Sequence, residues 1–320
     1  MRTRRMQSGT NTRSSIERQV KSYLRTGDHD PIFDGWPGDH LVARCKSGSR
    51  ALTDALVAEI SRRAQGRVTR GLPKGLELKT FARAKVGPMV TGLFPAKERD
   101  VILDLLANSL VFLTGDTIEQ VLREARWPHT AWSLANLYLG SIGAEGLDGK
   151  PSSLVGLSEE TTCYVSLAYF DEDDPFADFV VHEAAHVFHN WKRESVGLPH
   201  TRYREWLLEV NFAKREEFAY ACEAYHRILE RSASPADRRR LLAEYADRWV
   251  STTDHVDEEE LVGILSEAVG ARNGWKRILS RCAPPRRIAN SERLRIIEQQ
   301  HLDRMKRPGP GMTRSGSDPE

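Results

Sequence analysis

The stretch Phe179 to Trp191, FVVHEAAHVFHNW, places three histidines and a glutamate within eight positions, 182–189. A helix turns about 100° per residue, so positions four apart share a face. His182 and His186 can therefore aim two imidazoles at one metal ion. Glu183 stands beside them, placed to hydrogen-bond an attacking water rather than to ligate. This is the H-E-x-x-H arrangement. Zinc held this way keeps one coordination position open, brings the pKa of its water to about 7 and polarises a substrate carbonyl. Glu183 would accept the water's proton and pass it to the leaving amine. Val180, Val181, Val187 and Phe188, with the small Ala184 and Ala185, make the flanks apolar and predict a buried helix. Three imidazoles and a carboxylate are costly there unless a ligand or a hydrogen-bond network satisfies them. The competing reading is a helix whose histidines only hydrogen-bond inside the core.

The apolar lead-in, the HExxH core and the two uncharged residues after it resemble the zincin metallopeptidases over Phe179–Phe188. The resemblance extends over about residues 161–223. It implies an antiparallel edge strand before the active helix, where extended substrate pairs, and residues 161–170 occupy that place. A metzincin continuation is excluded, because His189 and Lys192 stand where its Gly and third His belong. His189 shares a face with His182, but seven residues along a helix is ~10 Å, too far for one ion. It reads as a supporting partner or an ordinary core residue.

The resemblance is closest to the gluzincins, which supply a third ligand as a Glu from a downstream helix, commonly E-x-x-A. Glu216 with Ala219 fits, and the adjacent Glu217 is its rival. A solvated Glu pair matched to Lys214 and Arg215 is the alternative. Ala219, Ala221 and Cys222 are small enough for two helices to approach closely. Glu216, Tyr220 and Glu223 recur at helical spacing as a polar stripe. The gluzincin Asp four residues after the ligand is replaced by Tyr220, which leaves the partner of His182 unassigned. Tyr220, Tyr225, His226, Tyr203 and His200 are candidates to stabilise an oxyanion.

These residues need a scaffold. Helical spacing predicts helices over 51–65, 98–111, 204–232, 236–249 and 257–270, and one starting at Asp116-Thr117 with Asp116 as cap. Alternation predicts a strand at 76–82 and a hairpin from 153–158 and 161–170. Asp174 before Pro175 predicts the start of the active helix. The expected fold is α+β, predominantly helical, with a zincin-like core and a small antiparallel sheet before that helix. The expected organisation is a basic flexible arm (1–30) with a short helix near Ile16–Leu24, a mostly helical region (31–129), the catalytic domain (130–290) and a tail (291–320) that is disordered from about 303.

The chain has 320 residues, 40% hydrophobic and 29% charged, with a net charge of +2. That profile is a soluble globular one, without a global drive toward nucleic acid. No apolar run reaches the ~18 residues of a membrane span, and the basic amino terminus lacks the apolar core of a secretory signal. A cytoplasmic protein is expected. The four cysteines, Cys45, Cys163, Cys222 and Cys282, form no C-x-x-C pair, so they read as reduced, buried thiols rather than a metal site. The expectation is one Zn2+ ion, a peptide or protein substrate and no membrane partner. Two alternatives stay open: a metal-containing module without catalysis, and a nucleic-acid-binding regulator acting through the basic arm.

Overall fold

In chain order the helices are α1 (Arg4–Thr26), α2 (Leu41–Ala64), α3 (Leu78–Leu93), α4 (Ala96–Ser109), α5 (Ile118–Glu124), α6 (Pro128–Ser141), α7 (Phe179–Asn190), α8 (Arg215–Arg231), α9 (Pro235–Arg248), α10 (Glu258–Gly270) and α11 (Gly274–Cys282). The strands are β1 (Leu110–Leu113), β2 (Gly156–Glu159) and β3 (Thr162–Ser166). The structure, a computed structural model, describes residues 4–68, 70–150, 155–200, 204–248 and 256–284. The fold is α+β and predominantly helical.

The sheet order is β1-β3-β2. β1 runs parallel to β3, with Leu110 opposite Cys163 and Phe112 opposite Val165. β2 runs antiparallel, with Leu157 opposite Tyr164. Successive strand residues point to opposite faces, and here each face meets its own helical layer. Leu110, Phe112, Cys163 and Val165 join the core of α3, α4 and α7 to α11. Val111, Leu113, Leu157 and Tyr164 join the core of α1, α2, α5 and α6. Residues expected on either side of a boundary near 130 thus share one sheet. The compact unit runs to Ala283; the remainder, 284–320, lies outside the described residues beyond Pro284, and so does the expected tail.

Several expectations are corrected. The sheet is mixed rather than antiparallel, because Leu110–Leu113 leaves the helix predicted for 98–111 and becomes β1. A parallel strand buried on both faces reads as a continuous apolar run, which a preceding helix masks. The strand predicted at 76–82 is the start of α3: the Glu77 side chain accepts from the backbone N–H groups of Lys79 and Thr80 and caps the helix. The hairpin forms, turning at Glu160 with φ 49°, but residues 161–170 supply the central strand, and the edges are β1 and β2. The short helix expected near Ile16–Leu24 lies within the longer α1, with Tyr23 buried and its hydroxyl donating 2.6 Å to the Pro128 carbonyl. Asp116 does not cap α5; Thr117 occupies that position, and the Thr114 carbonyl accepts from Ile118 N–H. The helix expected from 204 begins at Arg215.

The N-terminus of α7 falls one turn after the predicted position. Asp174 closes a local turn on the N–H of Phe176 instead. Asp178 is the cap, its carboxylate accepting from Val181 N–H at 3.3 Å. At the far end Leu207 N–H bonds the Trp191 carbonyl and Leu208 N–H bonds the Phe188 carbonyl, each at 2.9 Å. α7 is buried on all sides from Val180 to His189, packed against α3, α8, β2 and β3.

Candidate metal centre

α7 and α8 lie side by side because Ala184, Ala185, Ala219, Ala221 and Cys222 are small and buried. Their close approach brings three donor groups together. Nε2 of His182 and Nε2 of His186 are 3.3 Å apart. Oε2 of Glu216 lies 3.9 Å from the first and 3.7 Å from the second. Two ligands at about 2.1 Å from one ion in tetrahedral geometry stand roughly 3.4 Å apart. The observed spacings suit a divalent ion held by His182, His186 and Glu216.

A carboxylate at the opposite ring atom fixes the tautomer of His182. Glu223 Oε2 lies 3.0 Å from Nδ1 of His182. Its other oxygen accepts from the Asp178 backbone N–H at 2.7 Å. An ionised carboxylate only accepts, so His182 donates from Nδ1 and presents a lone pair at Nε2. Nδ1 of His186 faces Nε2 of His189 at 3.3 Å. With the His186 lone pair on Nε2, its Nδ1–H donates to His189, whose own proton then sits on Nδ1. Two lone pairs at 3.3 Å repel unless a cation or proton stands between them.

Glu183 is buried against β2. A Cβ on Gly156 would stand 2.8 Å from its Oε1 and 2.9 Å from its Cγ, so any side chain there would push this carboxylate aside. Burial is the largest influence on Glu183 and carries it up to about 7, against the lowering effect of His182 and a Ser158 hydrogen bond. Burial also opposes charge on His182. The Glu223 hydrogen bond and charge, with Glu183 and Glu216, outweigh it and raise His182 to about 9. His186 is lowered by burial and by the neighbouring His182, His189 and Arg215. Burial and then Arg215 lower His189 to about 3. These are properties of the protein chain alone.

The remaining candidates separate cleanly. Glu217 is buried on another side of α8, where its charge bears on the Cys282 thiol, and it is not among the converging donors. Adjacent helix residues point about 100° apart, and Glu216 is the one turned toward the imidazoles. Tyr220 packs edge-on against His182, ring centres 4.6 Å apart. Tyr225 packs instead on Trp275. His226 faces Asp178 at 3.5 Å. His200 is exposed, and Tyr203 lies outside the described residues.

A second group, Asp178, His226 and Glu230, also has converging ligand atoms. It already holds a cation: Lys85 Nζ lies 3.0 Å from Asp178 and 3.1 Å from Glu230. The Tyr169 hydroxyl donates to the other Asp178 oxygen at 3.4 Å. Asp178 thus caps α7, pairs with Lys85 and holds Glu223 through its own N–H.

Sequence reasoning named Glu223 only as part of a stripe. Its signal was the seven-residue step from Glu216, two turns along one face, which brings it back toward His182. The roles of Gly156 and Asp178 carried no such signal. No protein-family model, curated protein or solved structure matches the chain.

Proposed function

We propose that this protein is a zinc-dependent peptidase of the zincin type, with His182, His186 and Glu216 holding the ion and Glu183 acting as general base. One observation carries the reading: two imidazole nitrogens on the buried helix α7 and a half-exposed carboxylate oxygen on its neighbour α8 converge within 3.9 Å of one another. Zinc fits two neutral imidazoles and a carboxylate, and when bound there it would acidify a water and polarise the scissile carbonyl. Glu183 takes a proton from the water as its oxygen attacks the carbonyl carbon. It delivers that proton to the amide nitrogen as the C–N bond breaks, leaving a carboxylic acid and an amine. Glu223 holds His182 in the ligating tautomer, and His189 Nε2 can accept from Nδ1 of His186 when that ring ligates. Tyr220, against His182, is the side chain assigned to meet the developing oxyanion. The zincin resemblance assigns extended substrate to a sheet edge, and of the two edges β2 is the one packed against α7 and Glu183. The position of Glu216 beside the two imidazoles supports the gluzincin-like reading. The chain departs from that pattern in using Glu223, seven residues on, where gluzincins use an acid four residues on.

The test is zinc content and cleavage of a mixed peptide library by the purified protein. Glu216→Ala should strip zinc while Glu217→Ala keeps it. Glu183→Gln should keep zinc and abolish cleavage. Zinc retained by Glu216→Ala would remove the ligand assignment. Unchanged function in Glu183→Gln with zinc bound would favour a non-catalytic metal module. Among the described residues no helix is long and apolar enough to cross a membrane.

A further inference from the structure

Arg215 opens α8 one residue before Glu216. Its basic neighbours on that helix are paired: Lys214 with Glu260 at 2.7 Å, Arg227 with Glu230, Arg231 with Glu244 at 3.7 Å. Arg215 differs. Among the described residues no carboxylate oxygen lies within 4.0 Å of it. Its Nε is shut off from solvent with no hydrogen-bond partner. Its guanidinium carbon sits 4.8 Å from the ring centre of Phe212, a phenylalanine left 79% exposed. A half-buried guanidinium usually recovers its desolvation cost from a planar anion, which its forked donors match in two parallel hydrogen bonds. Here burial lowers its pKa and no acid offsets the shift. Glu216, next to Arg215, is turned toward the imidazoles.

We propose that Arg215, stacked on Phe212 and next in sequence to Glu216, receives a carboxylate of the peptide substrate, either the terminal carboxylate or an Asp or Glu side chain. This rests on the peptidase reading and names its substrate class: acidic peptides or peptide carboxyl ends. Phe212 supplies an apolar surface for the atoms next to that carboxylate.

The test is calorimetric binding to the full chain carrying Glu183→Gln and supplied with zinc, so that bound peptide is not consumed. The probes are acetyl-Ala-Ala-Ala, its carboxamide, and the carboxamide of acetyl-Ala-Asp-Ala. At least one carboxylate-bearing probe should bind roughly 10–100-fold more tightly than the neutral one. Whichever shows the preference identifies the terminal or the side-chain source. Adding Arg215→Gln should bring the ratio to about one, and Arg215→Lys should keep part of it. Equal binding of all three probes, no binding of any, or a preference that survives Arg215→Gln would each overturn the assignment. The comparison among probes needs no Arg215 variant, so poor folding of one cannot obscure it. Cleavage of the same peptides by the unmodified chain separates the two readings. Cleavage without carboxylate preference removes the Arg215 assignment alone. Carboxylate-dependent binding without any hydrolysis removes the peptidase.

Discussion

Replacing Glu223 by glutamine tests whether the metal centre depends on a carboxylate that touches no metal. Both Glu223 oxygens are engaged by donors, the Asp178 N–H at 2.7 Å and His182 Nδ1 at 3.0 Å. Glutamine offers one oxygen and one NH2, so it cannot accept from both. If its oxygen keeps the Asp178 N–H, its NH2 faces His182 and drives that ring to the tautomer protonated on Nε2, which cannot ligate. If it keeps His182, the buried Asp178 N–H loses its partner, at about 1–3 kcal/mol of stability. Groups that orient a metal-bound histidine typically contribute 10–100-fold in affinity, about 1.4–2.7 kcal/mol. Glu223→Gln should therefore weaken zinc binding by that factor despite being isosteric, and Glu223→Ala should do no better. The assay is competition with a fluorescent zinc chelator near neutral pH, beside thermal unfolding of the metal-free proteins. Affinity within about twofold of the unmodified chain, with Tm unchanged, would refute the reasoning.

Gly156→Ala puts a methyl group 2.8 Å from Glu183 Oε1; the flexible carboxylate can shift, so peptide cleavage should fall at least about tenfold while zinc content holds. Glu98→Ala strands the buried guanidinium of Arg193, now paired at 2.8 Å, and should cost about 3–5 kcal/mol of unfolding free energy; a loss under about 1 kcal/mol in a denaturant titration would mean the pair is dispensable. Glu59 is held down to about 2, foremost by the Arg62 hydrogen bond and with help from Arg63. A depressed folded pKa stabilises above the unfolded value of 4.5 and loses that contribution as pH falls toward 2. Glu59→Gln should thus be less stable by about 1 kcal/mol at neutral pH, the gap closing in acid; a gap that widens in acid would reverse the sign.

The legible part of the site was the part written at helical spacing. His182, Glu183 and His186 share α7, and Glu216, Tyr220 and Glu223 share one stripe of α8, so a period of 3.6 carried them. Contacts across the fold were not legible. Asp174 and Asp178 both offer capping carboxylates, and the Pro after Asp174 favoured the wrong one. Lys85, Tyr169, His226 and Glu223 converge on Asp178 from elsewhere in the chain, and no local rule contains them. β1 was lost because Leu110–Leu113 continues the apolar rhythm of α4 without a turn signal. The alternation at 76–82 was too short to outweigh a glutamate cap. Gly156 mattered for what it lacks, a Cβ opposite Glu183, and a missing atom leaves no pattern to read.

α7 is clamped at both ends by bonds independent of the donor cluster: Asp178 and Lys85 where the chain enters, and the backbone ties of Leu207 and Leu208 where it leaves. Small zinc domains collapse when a chelator removes their metal. This frame is anchored like a vice bolted to its bench, so a chelator should silence the protein while leaving its circular dichroism spectrum intact, and added zinc should return activity without a refolding lag.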